Sequence, residues 1–121
     1  MTGTWHAVAT DNFKAAGEAK TCGRWRTCVS RAYYSAYSTI ASGLARHGIT
    51  HREGRMGPEH NQVPALVKRL VPRELGSAAS DLIISLRRLR ERADYHPEDD
   101  IDLLEANTAI SLLRKLRTMI Q

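Results

Sequence analysis

At 121 residues and 42% apolar composition, the chain is sized for one domain around one core, residues 1–121, and excludes a two-core architecture. Its 8 glycines and 4 prolines are too few for a loop-rich or low-complexity protein. The formal charge of +5, from 18 Lys and Arg against 13 Asp and Glu, admits an anionic partner such as nucleic acid, although the same charge serves solubility.

Alanine, leucine and arginine are frequent, and alternating runs of β-branched and aromatic residues are absent, so helix is favoured over sheet. The opening Met1-Thr2-Gly3-Thr4 offers neither a basic region nor an apolar one, and no stretch approaches the length of a membrane span. A cytoplasmic protein without a membrane role is expected. Cys22 and Cys28, with five residues between them and no further cysteine, are read as free, buried or semi-buried thiols.

In chain order, Thr4 can cap a first helix whose apolar positions are Trp5, Ala9, Phe13 and Ala16, ending before Gly23. A second helix runs from about Arg24 to Arg46 with Trp25, Val29, Ala32, Ala36, Ile40 and Leu44 on one stripe, closed by Gly48. The segment from Gly48 to Pro58 is the main loop. His47, His51 and His60 lie in or beside it, but Gly48 breaks the register of the first two and no cysteine or helix-paired carboxylate completes a ligand set. With Arg52 and Arg55 it reads as a solvated basic segment able to touch a phosphate backbone, and no metal or cofactor is expected.

A short helix follows with Val63, Leu66, Val67, Leu70 and Val71 on one face, Pro64 in its first turn and Pro72 ending it. The fourth helix carries Leu82, Leu86, Leu89 and Ala93 and runs to about Tyr95, since Pro97 disfavours helical geometry at His96. Glu98, Asp99, Asp100 and Asp102 suit the positive end of a last helix, which carries Ala106, Ile110, Leu113, Leu116 and Ile120. The expected fold is all-α: an antiparallel four-helix up-down bundle with one additional short helix.

Two segments are more specific than generic helix. One is Ser30-Arg31-Ala32-Tyr33-Tyr34-Ser35-Ala36-Tyr37 on the second helix; the other is the run from Leu86 to Pro97, dense in arginine and ending Tyr95-His96-Pro97. Together, in this order and on these helices, they resemble the HEPN family, and the resemblance spans essentially the whole chain. It implies a HEPN-like bundle that pairs into a two-fold homodimer, with Arg and His of both protomers meeting in one cleft. Members with an intact Arg-x4-6-His motif are typically metal-independent ribonucleases.

Carried onto this sequence, the motif is met by Arg90 and His96, which have five residues between them. Arg92, Asp94, Tyr95, Tyr34 and Tyr37 are accessory or RNA-contacting candidates. Arg92 would share a face with His96 if the helix were continuous. The tyrosines also suit packing, with buried rings and wet hydroxyls. Two departures stand out: Glu91 follows the arginine where the family has a small polar residue, and Tyr95 precedes His96 where some toxin members have a tyrosine after it.

The function implied is a metal-independent endoribonuclease acting as a homodimer and leaving a 2′,3′-cyclic phosphate, in the setting of defence or of a toxin paired with an antitoxin. RNA or a nucleotide is the expected ligand, and an antitoxin or nucleotidyltransferase the candidate partner protein, although the tyrosine order gives no basis for modification by the latter. The alternative, favoured by Glu91, is a non-catalytic HEPN-like module that binds nucleotides or a protein. A third class is a structural helical adaptor.

Overall fold

The computed structural model describes residues 4–49 and 57–120; His51, Arg52 and Arg55, read above as part of a basic loop, lie outside the described residues. Five α-helices follow one another: α1 (Trp5–Thr21), α2 (Trp25–Arg46), α3 (Val63–Val67), α4 (Gly76–Tyr95) and α5 (Leu103–Met119). Short 3-10 turns at Lys68–Leu70 and Arg73–Leu75 join α3 to α4. None of the described helices is long and apolar enough to cross a membrane.

The hydroxyl of Thr4 accepts from the amide of Ala7 at 3.1 Å, satisfying one of the orphan donors that open α1. At the other end Gly23 takes φ +72°, a conformation that costs glycine little, and turns the chain into α2. Cys22 caps α1 at its C-terminal end and is exposed, contrary to the expectation of a buried or semi-buried thiol; Cys28 is buried, and this pushes its thiol pKa up.

α2 is the centre of the molecule. Val29, Ala32, Ala36, Ile40 and Leu44 are buried as their spacing predicts, but so are Cys28, Tyr33, Ser35 and Ala41 on other faces. A helix buried on nearly all sides needs neighbours on all sides, and α2 packs against α1, α3, α4 and α5. Helix directions follow from the cross-helix bonds. Ser35 donates to the carbonyl of Ala9 and Arg31 to the side chain of Asn12, so α1 runs antiparallel to α2. Arg26, at the start of α2, meets residues at the end of α4, while Ile120 lies near Gly43 towards the end of α2. The four long helices therefore alternate up and down.

Two boundaries differ from the sequence reading. The buried stripe of α4 is Ala79, Ile83, Leu86, Arg90 and Ala93, with Leu82 and Leu89 only partly buried at its margin. An arginine thus occupies a core register position. The acidic run does not open the last helix: α5 begins at Leu103, where Asp102 accepts from the amide of Leu104 and Glu105 reaches back to the amide of Asp102. That capping box fixes the start and leaves residues 96–101 as a connecting loop.

Candidate active site

α4 ends at Tyr95 because His96, before Pro97, leaves helical geometry with φ −122° and ψ 79°. The last carbonyls of α4 then need partners, and Arg26 supplies them. Its Nη1 donates to the carbonyls of Arg92 (3.2 Å), Ala93 (3.0 Å) and His96 (3.1 Å), and its Nη2 to those of Pro97 (3.3 Å) and Asp99. One guanidinium holds the end of α4 and the turn beyond it. A cation at the negative end of a helix dipole adds to the bonds.

The loop is fixed from its other side by Arg92, whose Nε donates to Oδ2 of Asp99 at 3.1 Å and Nη2 to the carbonyl of Asp100 at 3.4 Å. Arg92 therefore belongs to the frame of the loop; because the helix stops before His96, the shared face expected of the two does not form. His96 sits on this frame with its side chain 53% exposed and its Nδ1 3.3 Å from Oε2 of Glu98. A carboxylate at Nδ1 suits the tautomer that carries its proton there.

Arg90 lies inward of this turn. Its Cζ is 5.1 Å from the ring centre of Tyr33, 5.6 Å from that of Tyr34 and 5.5 Å from that of Tyr95. Its Nη1 is 3.8 Å from Oδ2 of Asp94 and at the limit of hydrogen bonding, 3.5 Å, from the Tyr95 hydroxyl. Ser30 donates to the same oxygen of Asp94 at 3.2 Å. Three ring faces and one carboxylate together hold a charge that the core position would otherwise reject. Among the described residues, the Nε of Arg90 is buried without a hydrogen-bond partner.

The Ser-Arg-Ala-Tyr-Tyr segment is the bed for this arginine: Ser30 holds Asp94, Arg31 reaches across to Asn12 and the Tyr34 ring, Ala32 is buried, and Tyr33 and Tyr34 face the guanidinium. The hydroxyls of Tyr33 and Tyr37 are not wet. Tyr33 pairs with Nδ1 of His60 at 2.5 Å, and Tyr37 donates to the carbonyl of Pro58 at 2.5 Å. Burial pushes the Tyr33 phenol up to about 12, against the opposing pull of Arg90 and Arg87.

His60 is thus a packed residue rather than part of a solvated loop. Its ring stacks on Tyr37 at 4.6 Å and on Tyr33 at 5.6 Å. Burial, then the charges of Arg90 and Arg87, lower its pKa from the ordinary 6.5, so the folded protein holds it neutral. Where the unfolded chain binds the proton more readily, stability rises with pH. The fold should therefore be most stable above pH 6.5 and lose stability as pH falls below it, until the folded-state pKa is reached. Thermal melts between pH 7.5 and about 5 should show this fall, and His60→Gln, which keeps a polar contact but cannot titrate, should flatten it; an unchanged slope would reassign the effect.

Of the residues singled out in the sequence, Arg90, Asp94, Tyr95 and Tyr34 come together in one cluster. His96 lies on the surface beyond them, and Tyr37 is buried, with ring contacts to His60 and Tyr33. Glu91 is turned towards Arg87, whose Nε lies 3.2 Å from its carboxylate as an ion pair without hydrogen-bond alignment. Sequence reasoning missed Arg26 and the packing of His60. Arg26 carried one signal: a cation in the first turn of a helix opposes that helix's own dipole, which points to a partner elsewhere.

Compared with models of known families, residues 3–121 match the HEPN domain. Searches among curated proteins and among solved structures gave no match.

Proposed function

Because the chain belongs to the HEPN domain family, we propose that it is a metal-independent endoribonuclease, active as a homodimer, with His96 as the group that moves protons. The observation that carries the reading is the presentation of His96: an exposed imidazole on a turn clamped from both sides, paired with Glu98, and directly following Tyr95, whose ring packs on the buried Arg90.

RNA supplies its own nucleophile. As the 2′-hydroxyl attacks phosphorus, one imidazole takes its proton; as the bond to the 5′-oxygen breaks, a second imidazole, already protonated, donates to that oxygen. The product ends are a 2′,3′-cyclic phosphate and a 5′-hydroxyl. One His96 cannot be in both states at once, and a two-fold dimer supplies the second. Arg90, with its side chain only 9% exposed, acts chiefly through its permanent charge and by fixing Tyr95 and Asp94, not as an open phosphate fork.

Tyr95, Leu103 and Leu104 support a partner on this side. They are exposed by 67%, 47% and 70%, and they flank the turn that carries His96. Exposed apolar residues gathered around a site mark an interface. Leu104→Asp should leave the monomer folded, since an acid suits the first turn of α5, while weakening dimerisation more than about tenfold. Mass measurement across a dilution series reads this, and wild-type protein that stays monomeric at every concentration removes the dimer.

The test of the reaction is incubation with RNA in chelator, with analysis of product ends. Cyclic phosphate ends that form undiminished are expected. The enclosure of Arg90 favours a second reading, in which the site binds a nucleotide without turnover. Tight binding with intact RNA would select it. Growth arrest on expression, relieved by His96→Ala, is the expected sign of a toxin in a defence or toxin–antitoxin pair.

A further inference from the structure

We infer that the opposite end of the bundle carries an anion site for a small phosphorylated molecule, built between the start of α1, the end of α2 and the end of α5. A crevice of about 150 Å³ there is lined by His6, Thr10, Thr39, Ser42, Arg46 and Arg117. Water occupies ~30 Å³ per molecule in the liquid, so the space, equal to about five waters, has room for a phosphate group. Among the described residues no carboxylate lines it, and Arg46 already holds an interaction of its own. Along α2, Ser42 is roughly 24 Å from Arg26 at about 1.5 Å per residue, so the crevice is separate from the His96 turn.

The donors are of the kind an oxyanion needs, and several are unspent. Arg117 has its Cζ 4.2 Å from the centre of the Phe13 ring, a contact that holds the guanidinium by its face and leaves its N–H groups unused; among the described residues it has no carboxylate partner. The hydroxyls of Thr10 and Ser42 and the imidazole of His6 make no hydrogen bond among the described residues, whereas Thr39 already donates to the carbonyl of Ser35. Arg114 lines an adjoining crevice with Arg117, adding to the positive potential.

The organic part of the ligand has its own place. A larger apolar groove of about 650 Å³, lined by Trp5, Val8 and Ala45, shares His6, Ser42 and Arg46 with the phosphate crevice. Val8, in its lining, is 40% exposed. A phosphate monoester with a planar or apolar body fits the pair: the terminal phosphate enters the polar crevice and the body lies against Trp5.

The test is titration of the isotopically labelled protein with inorganic phosphate and with adenosine 5′-monophosphate, at ionic strength held constant with sodium chloride. Saturable shifts of the amides of His6, Thr10 and Ser42 are expected for both, with the Trp5 indole moving only for the nucleotide. Arg117→Gln should weaken binding at least about tenfold, as loss of a charge-assisted contact does, while His96→Ala leaves it unchanged. Shifts that sodium chloride reproduces, or that Arg117→Gln leaves intact, overturn the site. A short oligoribonucleotide that binds these amides more tightly than the mononucleotide overturns the small-molecule assignment.

Discussion

His96→Ala is expected to reduce RNA cleavage by at least about 10²-fold, the lower end of what a positioned acid–base group contributes. Its melting temperature should stay close to wild type. The imidazole is more than half exposed and, among the described residues, its one polar contact, with Glu98, lies on the surface, where such pairs contribute little. Loss of activity without loss of fold would locate the chemistry in that ring. Glu98→Gln makes a useful companion, because it keeps a polar group at Nδ1 and removes the charge: a smaller loss of cleavage than His96→Ala gives is expected.

The largest effect on stability is expected at Arg26. Arg26→Met keeps an apolar stem of similar length but removes every bond to the carbonyls of residues 92, 93, 96, 97 and 99. Hydrogen bonds from a charged donor are worth ~1.5–3 kcal/mol each, but these share one side chain and part of the freed carbonyls will meet water. A loss of about 2–3 kcal/mol follows, or roughly 8–12 °C in melting temperature for a chain of this size. Amide hydrogen exchange should localise the loosening to the last turn of α4 and the residues after it. If exchange rises instead throughout the bundle, Arg26 is a general support and not a clamp on the His96 turn. Arg26→Lys should recover little, since a single ammonium cannot reach carbonyls on both sides of the turn.

Helix order and most helix ends were legible because they rest on local chemistry. Thr4 and Gly48 acted where the sequence placed them, and Pro97 ended α4 one residue before its predecessor. The antiparallel order of the long helices followed from apolar stripes that had to bury one another. The register of α4 was misread because counting only apolar residues selects Leu82 and Leu89, whereas the core takes Ile83 and Arg90. Nothing in periodicity reveals that three tyrosine rings and Asp94 make a guanidinium acceptable inside. The acidic residues before α5 were assigned to a helix dipole, but Glu98 and Asp99 hold His96 and Arg92 instead, and only Asp102 caps.

The candidate site was legible as a pair of motifs and not as a geometry. Arg90 and His96 came from the resemblance to the family's Arg-x4-6-His motif; one is enclosed and the other exposed, a division that sequence distance cannot encode. His60 lies far from both in sequence, and its place between Tyr33 and Tyr37 depends on how the long connection returns to α2. Its neutral state in the folded protein is a product of that packing.

The proposed reaction needs two His96 side chains at one scissile phosphate, and mixing subunits tests this directly. Wild-type and His96→Ala protomers, combined in equal amounts and allowed to exchange, give three kinds of dimer. If both imidazoles are required, only the fully wild-type dimer cuts, and activity should fall to about one quarter of an all-wild-type sample at the same total protein. Activity of about one half would mean that each protomer works alone, contradicting the shared cleft.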